Sequence, residues 1–214
     1  MNLELPEAIN KDQWIEALGV KGKPDNQLLT QLGQGEKEIL GVAKPQGIYR
    51  ILKREEMELP GKNIKRHLVH CEKMIIMAIT LGIGVDNLLR KTQVNDMGKT
   101  IILDWGASIL IEEIADEFQK KIKEDVGQFM TGRYSPGYGD LPIEIQNKFI
   151  QAIDGPRKIG LNVTSSHIMI PRKSVTAILG ISDRPVTGYL ATCEECQLRG
   201  KCLLRKEGYY CGKK

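Results

Sequence analysis

The run Lys73-Met-Ile-Ile-Met-Ala-Ile-Thr80 constrains this fold more than any other stretch, because its apolar residues are consecutive and leave no polar face to turn toward water. A strand of that composition is central and covered on both sides. A long amphipathic helix from about Gly98 to Asp125 can supply cover, with Ile102, Ile109, Leu110, Ile114, Phe118 and Ile122 forming an apolar stripe. Asn10 caps a helix over Lys11 to Leu18 closed by Gly19, and a second runs from Asp25 to Val42 with Leu28, Leu29, Leu32, Ile39 and Leu40 on one face. Gly47–Lys53, Ile159–Thr164 and Lys173–Ile181 read as further strands, the last two set around a Met169-Ile-Pro171 kink. Shorter helices are predicted over Val85–Lys91, over the segment carrying Ile64, Leu68 and Val69 with Asn63 as cap, and from Pro142 to Ile153, where Ile145, Phe149, Ile150 and Ile153 face inward. The irregular interleaving implies an α+β fold: one domain over residues 1–190 with a mixed, mainly antiparallel sheet flanked by helices, then a Cys-rich C-terminal tail over 191–214.

With 41% apolar residues among 214, the chain can bury a proper core and is not disordered. Its 31 basic and 27 acidic residues give a formal charge of +4, and the lysines are dispersed, so no nucleic-acid partner is expected. The start lacks a basic segment followed by an apolar core, and no apolar run approaches the ~18 residues of a membrane span, which points to a cytoplasmic protein without membrane contact. Four of the five cysteines lie between Cys193 and Cys211, unlike a disulfide framework spread through a secreted fold.

The segment Thr131-Gly-Arg-Tyr-Ser-Pro-Gly-Tyr-Gly-Asp-Leu-Pro142 crowds backbone-bending residues around one cation, two phenols and a carboxylate. Pro136 fixes its φ, while Gly137 and Gly139 can take positive φ and let a ligand approach bare N–H groups. Arg133 offers a planar fork for a carboxylate and Tyr138 a ring face for a base or cation. The same composition also suits a rigid surface turn between helices. Gly82-Ile-Gly84 is read as an ordinary strand-to-helix turn, since Asn87 stands where a dinucleotide fingerprint needs glycine. Glu113, Asp116 and Glu117 read as a solvated helix face, with Glu112 bordering the buried stripe. His67 and His70 read as partly exposed residues of one helix, and the three histidines are too scattered for a metal triad. The tail spacing Cys193-x2-Cys196-x5-Cys202-x8-Cys211, flanked by Arg199, Lys201, Arg205 and Lys206, suits a ligating set: an iron–sulfur cluster first, zinc second, free thiols as the remaining reading.

Arg133-Tyr-Ser-Pro-Gly-Tyr-Gly-Asp140, then Ile159-Gly-Leu-Asn-Val-Thr-Ser-Ser166, Met169-Ile-Pro171 and Lys173-Ser-Val175 resemble the activation domain of cobalamin-dependent methionine synthase in its freestanding form. An R-x-x-x-G-Y motif followed by S-x-x-M-x-P-x-x-S is specific as an ordered pair, and the match is strongest over residues 100–190. The resemblance implies S-adenosylmethionine binding and a methyltransferase component of methionine biosynthesis, in which a cob(II)alamin on a separate corrinoid-binding protein or split methionine synthase is reductively remethylated. It implies that Arg133 pairs with the methionyl carboxylate and Glu112 faces the amine or sulfonium. Tyr138 or Tyr189 would pack on adenine, with Gly137 completing the turn and Leu190 adding backbone contacts. The electron would come from an external donor, flavodoxin or ferredoxin; the cysteine tail is foreign to the full-length enzyme, and a cluster on it would relay that electron. The acidic residue that precedes the arginine in the full-length enzymes has no counterpart here. The competing readings are a noncatalytic module that senses S-adenosylmethionine or docks on a corrinoid protein, and a metal-tail scaffold unrelated to cobalamin.

Overall fold

Every residue from Met74 to Thr80 is buried in β2 (Lys73–Thr80), as its unbroken apolar run requires. The computed structural model describes residues 1–188 and Gly200. In the four-stranded sheet, β2 lies between β1 (Gln46–Lys53) and β6 (Ser174–Ser182), and the short β3 (Phe129–Met130) extends the far side in the order β1-β2-β6-β3. The Lys44 amide donates to Leu81 O at 2.9 Å and the Arg54 amide to Glu72 O at 3.2 Å, so β1 and β2 run antiparallel. β3 is antiparallel to β6, with Phe129 opposite Ser182, and β4 (Asn162–Val163) pairs antiparallel with β5 (Met169–Ile170) as a separate ribbon. The helices are α1 (Lys11–Ala17), α2 (Asn26–Val42), α3 (Lys62–His67), α4 (Ile83–Asn95), α5 (Met97–Val126), α6 (Gln146–Ala152) and α7 (Gly155–Ile159). The result is the mixed α+β architecture with an antiparallel sheet flanked by helices.

The chain divides into two compact units: Met1–Ile48, Ala78–Val126 and Ile150–Val175 form the first, and Tyr49–Met77, Gly127–Phe149 and the chain from Thr176 form the second. In the first, the Asn10 side chain accepts from the Gln13 amide and the Asp25 side chain from the Leu28 amide, starting α1 and α2 where cap chemistry places them. Trp14 is fully buried and its indole N–H donates to Ile102 O at 2.9 Å, so the largest side chain of this core carries no unmet donor. α5 buries Leu103, Ala107, Leu110, Ile114 and Phe118, a three-and-four spacing that selects Leu103 over the expected Ile102. Leu29, also expected on a buried face, is 42% exposed.

Two sequence expectations change at local geometry. Pro142 does not open a helix: with φ −62° and ψ 146° it is extended, a 3-10 turn covers Ile143–Ile145, and α6 begins at Gln146. Ile145, Phe149, Ile150 and Ile153 are nonetheless buried as expected. The expected strand from Ile159 shrinks to β4, because Gly155–Ile159 is helical and Gly160 closes it in the left-handed region.

Candidate functional site

The turn bearing Arg133 is built into the second unit from both of its limbs. On the entry side the Thr131 amide donates to Gly180 O at 3.0 Å and the Gly180 amide to Thr131 Oγ1 at 2.8 Å. Tyr134 then exchanges both backbone hydrogen bonds with Ile178, at 2.9 and 2.8 Å. Arg133 is therefore flanked by residues whose backbones are pinned. Within the turn, Gly137 donates to Leu141 O at 2.9 Å, Tyr138 to Ser135 O at 3.2 Å, and the Tyr134 hydroxyl to Tyr138 O at 3.3 Å. Gly137 and Gly139 have φ +86° and +53°, as expected, but the amide of Gly137 is spent inside the turn and is not a bare donor. Arg133 is half-buried, and Tyr138 is 52% exposed.

The exit limb carries Asp140, whose carboxylate accepts from the amides of Lys62 at 2.5 Å and Asn63 at 3.1 Å. These are orphan donors of the first turn of α3, and a carboxylate there satisfies them and meets the positive end of the helix. Asn63 is thus not the cap that its type suggested; it sits inside α3, buried, while its N–H is served from 77 residues downstream. Gly61 precedes it at φ +122°, where a Cβ would stand 2.6 Å from Asp140 Oδ1.

His67, expected to be partly exposed, is 2% exposed. Its Nε2 lies 3.0 Å from Gly132 O, and since a carbonyl only accepts, Nε2 carries the proton. The ring packs on Tyr134 with centroids 5.1 Å apart, and burial lowers the imidazole pKa, only partly countered by the Gly132 hydrogen bond. His70 lies beyond α3 and is exposed, its Nδ1 accepting from Arg184 Nη2 at 2.7 Å.

The acidic cluster on α5 is arranged differently from expectation. Glu112 is exposed, whereas Glu113 turns inward: Oε1 accepts from the Asn10 amide at 3.0 Å and Oε2 is buried. Burial, followed by the opposing Asn10 hydrogen bond and the Asp116 charge, leaves the Glu113 pKa raised. It borders an open hollow of about 850 Å³ in the first unit, with Pro6, Ile9, Asp116 and Lys120. A smaller hollow of about 190 Å³ in the second unit is lined by Arg54, Leu59, Ile64 and Lys65. Neither is lined by Arg133, Gly137 or Tyr138.

Tyr189, Leu190, Cys193, Cys196, Cys202 and Cys211 lie outside the described residues. Among the described residues, no group of three or more His, Cys, Asp or Glu side chains has the arrangement of a metal site, and no helix is long and apolar enough to cross a membrane. Asp140 and His67 are the residues whose roles sequence reasoning missed, since each acts on a segment distant in sequence.

No protein-family model matches the chain, and no curated protein matches it in sequence. The fold is that of the MetH reactivation domain, whose crystal structure bound to AdoHcy superposes with a TM-score of 0.61, covering 94% of this chain and 82% of that one at 13% identity.

Proposed function

We propose that this chain binds S-adenosylmethionine at the Arg133–Tyr138 turn and supports reductive methylation of cob(II)alamin on a separate corrinoid protein or split methionine synthase. The observation that carries the reading is the match over 94% of the chain to a domain solved with AdoHcy, together with the Arg133-x-x-x-Gly137-Tyr138 motif on a turn held by hydrogen bonds at both limbs. The residues fit the ligand's chemistry. A guanidinium suits the methionyl carboxylate, a phenol ring suits adenine, and a pinned backbone lowers the ordering cost of binding. The resemblance adds Glu112, Tyr189 and Leu190 to the ligand contacts, and they remain part of the proposal.

In the reaction so proposed, one electron from flavodoxin or ferredoxin would reduce the partner's corrinoid from cob(II) to cob(I), the sulfonium methyl would pass to it in line, and S-adenosylhomocysteine would depart as a neutral thioether. Such a displacement asks the protein for position more than for an acid or base. Cys193, Cys196, Cys202 and Cys211 would hold an iron–sulfur cluster that relays the electron, or zinc.

Calorimetry tests the binding half. Wild type takes up S-adenosylmethionine, and Arg133→Ala weakens it at least about tenfold, or about 1.4 kcal/mol. Equal affinity in the two proteins defeats the reading. Binding without stimulated remethylation on the partner would leave a sensing module.

A further inference from the structure

We infer that α3 is a clamp that fixes the span of the 132–140 turn, with His67 and Asp140 as positioning residues for the ligand contacts of Arg133 and Tyr138. The inference rests on the ligand reading above for its functional half, while the clamp itself stands on geometry. At its first turn, α3 gives two backbone donors to Asp140 on the exit limb, and at its last residue His67 donates to the carbonyl of Gly132 on the entry limb. A six-residue helix rises about 1.5 Å per residue, so the limbs are held apart by a rigid strut of roughly 8 Å. The donor at His67 acts on the residue immediately before Arg133.

The same ring reaches a third segment. Gly188 has φ +75°, and a Cβ there would stand 2.5 Å from His67 Cε1 and 2.9 Å from Thr131 Cβ. The imidazole therefore packs against the residue that precedes Tyr189 while it holds the residue that precedes Arg133. A buried ring with its Nε2 engaged, paired with a carboxylate that accepts from two backbone amides, holds positions closely, and loose support is what costs a site its affinity.

The test pairs hydrogen exchange with S-adenosylmethionine calorimetry on His67→Leu, His67→Gln, Asp140→Ala and Asp140→Asn. Glutamine keeps a donor and asparagine an acceptor. In the leucine and alanine variants, amides of residues 131–138 should exchange faster and the Kd should rise about tenfold. The glutamine and asparagine variants should recover most of both, and exchange within α5 should stay at the wild-type rate in all four. Unchanged turn exchange in His67→Leu and Asp140→Ala overturns the clamp, as does a faster turn with unchanged Kd, a glutamine variant no better than leucine, or lost protection throughout α5. If the wild type takes up no ligand, the exchange arm still decides the clamp, and it is the function proposed above that falls.

Discussion

At His67, burial ties protonation to stability with a definite sign. The folded pKa lies below the ordinary 6.5, so between those values the unfolded chain binds a proton that the native state refuses. Stability is full above about pH 6.5 and declines as the pH falls through that window. Thermal midpoints measured from about pH 8 to about pH 5 should fall more steeply for wild type than for His67→Gln. Glu113 works in the opposite direction. Its carboxyl is raised above the ordinary 4.5 chiefly by burial, so the native state takes up the proton first and acidification through the window above 4.5 adds stability. Glu113→Gln should raise the midpoint at neutral pH and flatten that gain, while Glu113→Ala, which deprives the Asn10 amide of its acceptor, should lose about 1 kcal/mol by urea unfolding. Neither residue was legible beforehand. A histidine in a run of lysine and arginine, and one glutamate of a pair, carry no local sign of which side chain the fold turns inward.

Elements whose signals are local were legible almost to the residue. Asn10 and Asp25 cap the helices that follow them, and the apolar run of β2 is buried from Met74 to Thr80. The helix whose start depends on a distant partner was misread: α3 begins where Asp140 can reach its amides, not where Asn63 could cap it. Pro142 shows the same limit, since its fixed φ fits both a first helical turn and the extended conformation it adopts. If the α3 start is built around Asp140, Gly61 is the residue that makes room for it. Gly61→Ala combines a strained φ of +122° with a close approach to Asp140 Oδ1, and should lose about 1–3 kcal/mol in urea unfolding. A loss below a few tenths would mean that the carboxylate relaxes freely and that the cap sets nothing.

For the whole molecule, the likeness in fold to the MetH reactivation domain holds at 13% identity, where core pattern and topology persist after most side chains have changed. That explains why an ordered pair of short motifs pointed to the architecture while no family model matches the chain. The candidate site was legible only in part: the Arg133 turn could be read from its own residues, whereas its support by α3, β6 and Gly188 is tertiary. The four tail cysteines make a separate prediction. Anaerobic reconstitution with iron and sulfide should give a coloured protein with a paramagnetic signal on reduction, and a colourless protein that takes up zinc stoichiometrically would end the electron-relay idea. The most direct test of the ligand site is amide chemical-shift mapping of the labelled chain on titration with S-adenosylhomocysteine. The account predicts that the largest saturable shifts fall between Arg133 and Tyr138; shifts confined to the hollow beside Glu113, or none anywhere, would contradict it.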